Sequence, residues 1–128
     1  MQIKTVELDG VALDWAVAKA LHCDTVPQEV RGTPGFRVES VPPCILQAVS
    51  YDGLNFKPSS DWSQGGPLIE HYRVNLLHEA ENYWQADPCV KNGIYLLRYN
   101  RQYGKTPLIA AMRAIVALEL GDFVEVTE

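Results

Sequence analysis

The sequence predicts an α+β fold, a single domain with two main helices packed on a small antiparallel sheet. Two observations carry this: a capped, apolar helix stands near each end of the chain, and turn residues break the segment between them into short strand-like runs. A third sets the scale, since 128 residues supply one core and not two.

Met1 to Leu8 alternates loosely and reads as a short strand or extended arm. Asp9 is then an N-cap for a helix from about Gly10 to His22. Leu13, Ala16, Val17, Ala20 and Leu21 recur on one face of it, and Asp14 and Lys19 fall elsewhere. Cys23 to Gly35 is polar and broken by Pro27, Gly32, Pro34 and Gly35, so it reads as a surface loop. Phe36 to Val41 and Cys44 to Tyr51 read as strands on either side of Pro42-Pro43, and Asp52-Gly53 suits a tight turn into Leu54 to Phe56. Leu68 to His71 fits one or two helical turns, followed by strands at Arg73 to Leu77 and Glu79 to Pro88. Asn92-Gly93 signals a second hairpin turn, into a strand over Ile94 to Tyr99. The last helix has Thr106 as N-cap, Pro107 at its first position and Gly121 at its end. Leu108, Ala111, Met112, Ile115 and Val116 make it nearly all apolar, which places it centrally in the core.

A formal net charge of −5 and a pI near 5.1 argue against a nucleic-acid coat or a protein held on an anionic membrane surface. Cys23, Cys44 and Cys89 are odd in number and widely spaced, which fits free, mostly buried thiols in a reducing compartment. The opening MQIKTVELDG lacks the apolar run of a signal peptide, and no stretch is apolar enough to span a membrane. The expectation is a soluble protein of the cytoplasm. His22, His71 and His78 stand at no recognised ligand spacing, so neither a metal nor a cofactor is expected.

The segment SSDWSQGGPLIE, Ser59 to Glu70, has the most informative chemistry. Asp61, Trp62 and Gln64 precede a Gly65-Gly66-Pro67 turn that leads into an apolar helical start. Free N–H groups at such a start form an anion site, and Trp62 supplies an aromatic plate beside it. The structural alternative is equally open: Trp62 as a core plug, Asp61 as a cap and the glycines as a tight bend. Asp61 itself repels an anion, although it can accept hydrogen bonds from a ribose hydroxyl or a base amine. A second candidate is the run from Tyr95 to Lys105, where Tyr95, Tyr99 and Tyr103 interleave with Arg98, Arg101 and Lys105. The same pattern suits an ordinary strand with a solvated face. Lys105 and Thr106 sit at the start of the last helix, and Arg113 lies further along it, a ligand residue if it shares a pocket with Trp62.

Three segments together resemble the phage NinX family: ALDWAVAKAL from Ala12 to Leu21, SSDWSQGGPLIE, and TPLIAAMRAIVALELGD from Thr106 to Asp122. The family pattern Ser-x-x-Asp-Trp-x-Gln-Gly-Gly-Pro is matched by Asp61, Trp62, Gln64, Gly65, Gly66 and Pro67, with a departure in the spacing at Ser59. The resemblance implies a phage or prophage origin and a life inside an infected bacterium; it implies no activity. No nucleophile, base or metal set emerges, so the chain reads as a non-enzyme. Two functions follow. One is capture of a small, anionic, nucleotide-like ligand such as a signal of host antiviral defence, with Asp61, Trp62, Gln64, Gly65, Gly66, Arg98, Lys105, Thr106 and Arg113 as its site. The other is a protein-interaction module that inhibits or redirects a host or phage protein. A homodimer or larger ring is expected, which would let Trp62 of one subunit close over residues of the other.

Overall fold

The computed structural model describes residues 2–30, 33–40, 56–96 and 100–126. Expectations for the strand at Cys44 to Tyr51, the Asp52-Gly53 turn, Cys44 and Arg98 therefore lie outside the described residues.

Helix α1 (Gly10–Ala20) begins where the Asp9 carboxylate accepts the Gly10 N–H, and ends where Leu21 caps it and His22 turns to a positive φ of 61°. Helix α3 (Pro107–Leu120) begins as the sequence predicts. The Thr106 hydroxyl oxygen accepts the Ile109 N–H at 3.1 Å, and Pro107 occupies a first-turn position where its missing N–H is not needed. Gly121, at φ 89°, ends it in a conformation that few other residues adopt. Leu108, Met112, Ile115 and Val116 of α3 are buried, and α3 packs against both other helices and the largest sheet.

The termini meet. Strand β1 (Gln2–Lys4) pairs antiparallel with β9 (Phe123–Glu125), and a 3-10 turn over Thr5–Glu7 leads on to α1. The Thr5 hydroxyl donates to the Gly121 carbonyl at 2.7 Å, so the chain's start also covers the exposed end of α3.

The stretch read as a surface loop from Cys23 to Gly35 is instead a hairpin. Strands β2 (Asp24–Val30) and β3 (Thr33–Ser40) pair antiparallel in register from Thr25↔Val38 to Val30↔Thr33. Proline is tolerated in a two-stranded ribbon because one side of each strand needs no ladder partner, so the Pro27 and Pro34 signals misled. The expected strand from Phe36 is present but starts three residues earlier.

The second correction is larger. Helix α2 runs Trp62–Tyr72, with Asp61 as its N-cap, so Gly65, Gly66 and Pro67 lie within the helix and not in a turn before it. Local propensity opposed this, since two glycines and a proline are all poor helix formers. Tertiary packing on the buried side of the helix, through Gln64, Gly65, Leu68 and Tyr72, outweighs it. Arg73, in the left-handed region at φ 50°, ends it.

Strands β4 (Asn75–Ala80), β5 (Tyr83–Asp87) and β8 (Gln102–Gly104) form an antiparallel sheet in that order. Its inner face places Leu76, Trp84 and Ala86 against the helices. Strands β6 (Val90–Lys91) and β7 (Ile94–Tyr95) form a hairpin around Asn92 and Gly93, both at positive φ as the turn signal requires. The architecture is α+β, with every described strand pair antiparallel.

Candidate functional site

The turn before α2 is fastened from three sides. Asp14 of α1 is buried at 6% exposure, and its Oδ1 accepts the Ser59 N–H at 2.9 Å. Gln64 of α2 accepts the Lys57 N–H on Oε1 at 2.8 Å. Gly65 supplies the third contact. A Cβ placed there would lie 2.5 Å from the Pro58 carbonyl oxygen and 2.5 Å from Leu108 Cδ2, so only glycine lets α2 close on both the turn and α3.

Asp61 then caps α2. Its Oδ1 accepts the Ser63 N–H at 2.9 Å and the Ser63 hydroxyl at 2.6 Å, and its Oδ2 accepts the Gln64 amide at 3.4 Å. The hydrogen bonds from Ser63 hold its carboxyl below the ordinary value, so the helix start carries a fixed negative charge. The expected helix start after Gly66 is thereby corrected: the free N–H groups belong to an earlier turn, where the Asp61 carboxylate accepts the Ser63 N–H.

Asp61, Gln64 and Gly65 thus have structural tasks, and Trp62 has none of these kinds. It opens α2 at 55% exposure, and among the described residues no ring contact or side-chain hydrogen bond engages it. Gly66 has open space where a Cβ would stand and does not adopt a positive φ, so no close approach depends on it.

The other predicted residues divide. Lys105 is exposed, and the Thr106 hydroxyl is committed to the α3 cap. Gly65 against Leu108 brings the starts of α2 and α3 side by side. Arg113 faces elsewhere: its Nε donates to the Leu8 carbonyl and its Nη1 to the Tyr103 carbonyl, both at 2.8 Å. Burial lowers the pKa of that half-buried guanidinium, and its bonds make it a brace between the N-terminal arm and β8.

Asp14 was missed by the sequence reading, which set it off the apolar face. Burial raises its pKa to about 6, the Asp9 charge adds to the rise, and the Ser59 hydrogen bonds and the Lys57 charge oppose it. A signal was available: the residues three and four positions away, Gly10, Val11, Val17 and Ala18, are all non-polar, so no polar stripe exists for Asp14 to join. Cys23 and Cys89 are free and half-buried, and burial raises the Cys23 thiol to about 11.

Among the described residues no three His, Cys, Asp or Glu side chains group to hold a metal ion, and no helix is long and apolar enough to cross a membrane. Fold and site define a small α+β protein that presents a half-exposed indole on a fastened helix start. The chain belongs to the NinX family of bacteriophage P22, whose profile matches residues 4–119. No curated protein matches it.

Proposed function

We propose that this is a non-catalytic phage accessory protein that binds a host or phage protein, with Trp62 as the anchor. The observation that carries the reading is the exposure of Trp62 at the head of a helix where Asp61, Gln64 and Gly65 are bonded internally or packed. Tryptophan dominates binding hot spots because one rigid side chain desolvates a large area at little entropic cost. A small anionic ligand needs unengaged donors and a concave wall. Here Asp61 places negative charge at the helix start, the Thr106 hydroxyl is committed to the α3 cap, and Arg113 is tied to two backbone carbonyls of the fold.

The test is capture from infected cells with tagged wild-type protein and Trp62→Ala. The expected result is a stoichiometric protein partner with the wild type that is lost with the variant, which still folds cooperatively. The nucleotide reading makes the opposite prediction. It expects a co-purified small molecule, and a thermal shift with cyclic or ADP-ribose-type nucleotides that Trp62→Ala abolishes. That outcome would overturn the protein-partner reading.

A further inference from the structure

Strand β4 (Asn75–Ala80) is an open edge. Among the described residues it pairs with β5 on one side and with no strand on the other, and all its residues but Leu76 are exposed. In an antiparallel ladder alternate residues turn both N–H and C=O away from the neighbouring strand. The free side of β4 therefore carries a row of donors and acceptors that no described strand takes up.

Proteins commonly blunt such an edge with lysine or proline. Strand β4 reads Asn-Leu-Leu-His-Glu-Ala and has neither. By contrast, the β2–β3 ribbon has a proline in each strand, Pro27 and Pro34. At the opposite edge of the sheet β8 spans only Gln102–Gly104, and Lys105 follows it directly.

The partner this edge fits is its own copy. A two-fold axis perpendicular to the sheet sets two β4 strands antiparallel and brings outward N–H groups against outward C=O groups. Opposed residues share a sheet face, so the axis has to pass beside one residue and set it against itself. The bulge between His78 and Ala80 interrupts the regular strand at that end, which favours Leu77 as the centre. The two Leu77 side chains, each 53% exposed, then cover one another. Leu76 comes opposite the partner's His78, and Asn75 comes level with the partner's Glu79.

That last contact is made twice and joins a donor to an acceptor. Asn75 gives one amide N–H to Cys89 Sγ at 3.3 Å and has a second. Glu79 is exposed, and among the described residues no side chain pairs with it. No like charges are opposed in this register. A centre at His78 would set imidazole against imidazole and Leu77 against the partner's Glu79.

We propose that β4 is the edge at which a second copy of the chain pairs antiparallel about Leu77, joining the two three-stranded sheets into one. The pairing goes beyond the Trp62 reading and uses no residue of α2, so each can fail without the other.

The experiment is light scattering and sedimentation of the full chain over a micromolar concentration series, with a cross-linking arm. The expected wild-type mass is twice the 14.3 kDa of one chain. Leu77→Lys sets two like charges against each other at the axis and raises the dissociation constant about tenfold or more. Leu77→Cys tests the register without loss of the dimer. Residues directly opposite lie about 4.5–5.5 Å apart at Cα, within the range a disulfide spans. Under oxidised glutathione this variant should link into a covalent dimer, while the wild type with its three native cysteines does not. Glu79→Cys is the control: its two copies would stand four residues out of step, roughly 13 Å, and should stay unlinked. A wild type that stays a monomer throughout the series overturns the proposal. So does a dimer that survives Leu77→Lys, a Leu77→Cys variant that does not link, or a dimer that is broken by Trp62→Ala.

Discussion

Two adjacent glycines in α2 are expected to respond to the same substitution with opposite signs. At Gly65 an added methyl carbon would stand 2.5 Å from the Pro58 carbonyl oxygen and 2.5 Å from Leu108 Cδ2. Both neighbours resist displacement, since Leu108 is buried in the first turn of α3 and the turn at Pro58 is held through Ser59 by Asp14. Overpacking of this kind costs about 1–3 kcal/mol, and a clash with backbone lies toward the upper end. Replacing glycine by alanine within a helix returns about 1 kcal/mol, so Gly65→Ala should destabilise by about 1–2 kcal/mol net. Outside its own helix backbone and chain neighbours, Gly66 has nothing within 4 Å of the same added carbon. Pro67 follows it, however, and crowds the Cβ of a helical residue, so Gly66→Ala should keep only part of the helix gain, up to about 0.5 kcal/mol of stabilisation. Urea unfolding at equal slope reads both, as a midpoint below wild type for one variant and above it for the other. Shifts of the same sign would refute the assignment of Gly65 as the closure point. The sequence reading placed the sensitive backbone approach one residue later, at Gly66, so this pair separates the two accounts.

Other predictions concern the core, the buried acid and the anchor. Asp14 has a folded pKa of about 6 against an ordinary 3.8, so between those values the folded state holds more protons than the unfolded one. Its contribution to stability therefore falls as pH rises through that window and is flat above it. Asp14→Asn should remove this slope and stabilise the protein at pH 8 by up to about 3 kcal/mol; a variant with the wild-type pH profile would disprove the buried-charge account. Ile115→Asp buries a charge in the middle of α3, where Ile115 is fully buried, and costs several kcal/mol; a wild-type urea midpoint would show the core assignment wrong. Trp62→Ala should cost less than the about 3–5 kcal/mol of truncating a core aromatic, because the residue is 55% exposed; a loss in that core range by calorimetry would make Trp62 a packing residue.

Where a contact lies within a few residues, the sequence by itself determined the outcome. Asp9 and Thr106 cap their helices as read, Gly121 closes α3, and Asn92-Gly93 makes its turn, because the donor, the acceptor and the required φ are set within one turn of chain. The apolar run of α3 likewise specified a central helix, since a helix without a polar stripe has to be covered on all sides. Tertiary structure alone decided the rest. A hairpin replaced the loop expected from Cys23 to Gly35, because pairing supplied ladder bonds that local proline and glycine signals could not anticipate. Helix α2 absorbed Gly65, Gly66 and Pro67 because burial against α3 and the turn at Pro58 outweighed their poor propensity. Most of the candidate site was decided in the same way. Asp14 meets Ser59 across 45 residues and Arg113 reaches Leu8 across 105, and neither spacing leaves a pattern in a single chain. Those distant bonds turned Asp14 into a buried fastener and Arg113 into a brace, and left Trp62 as the motif side chain facing water.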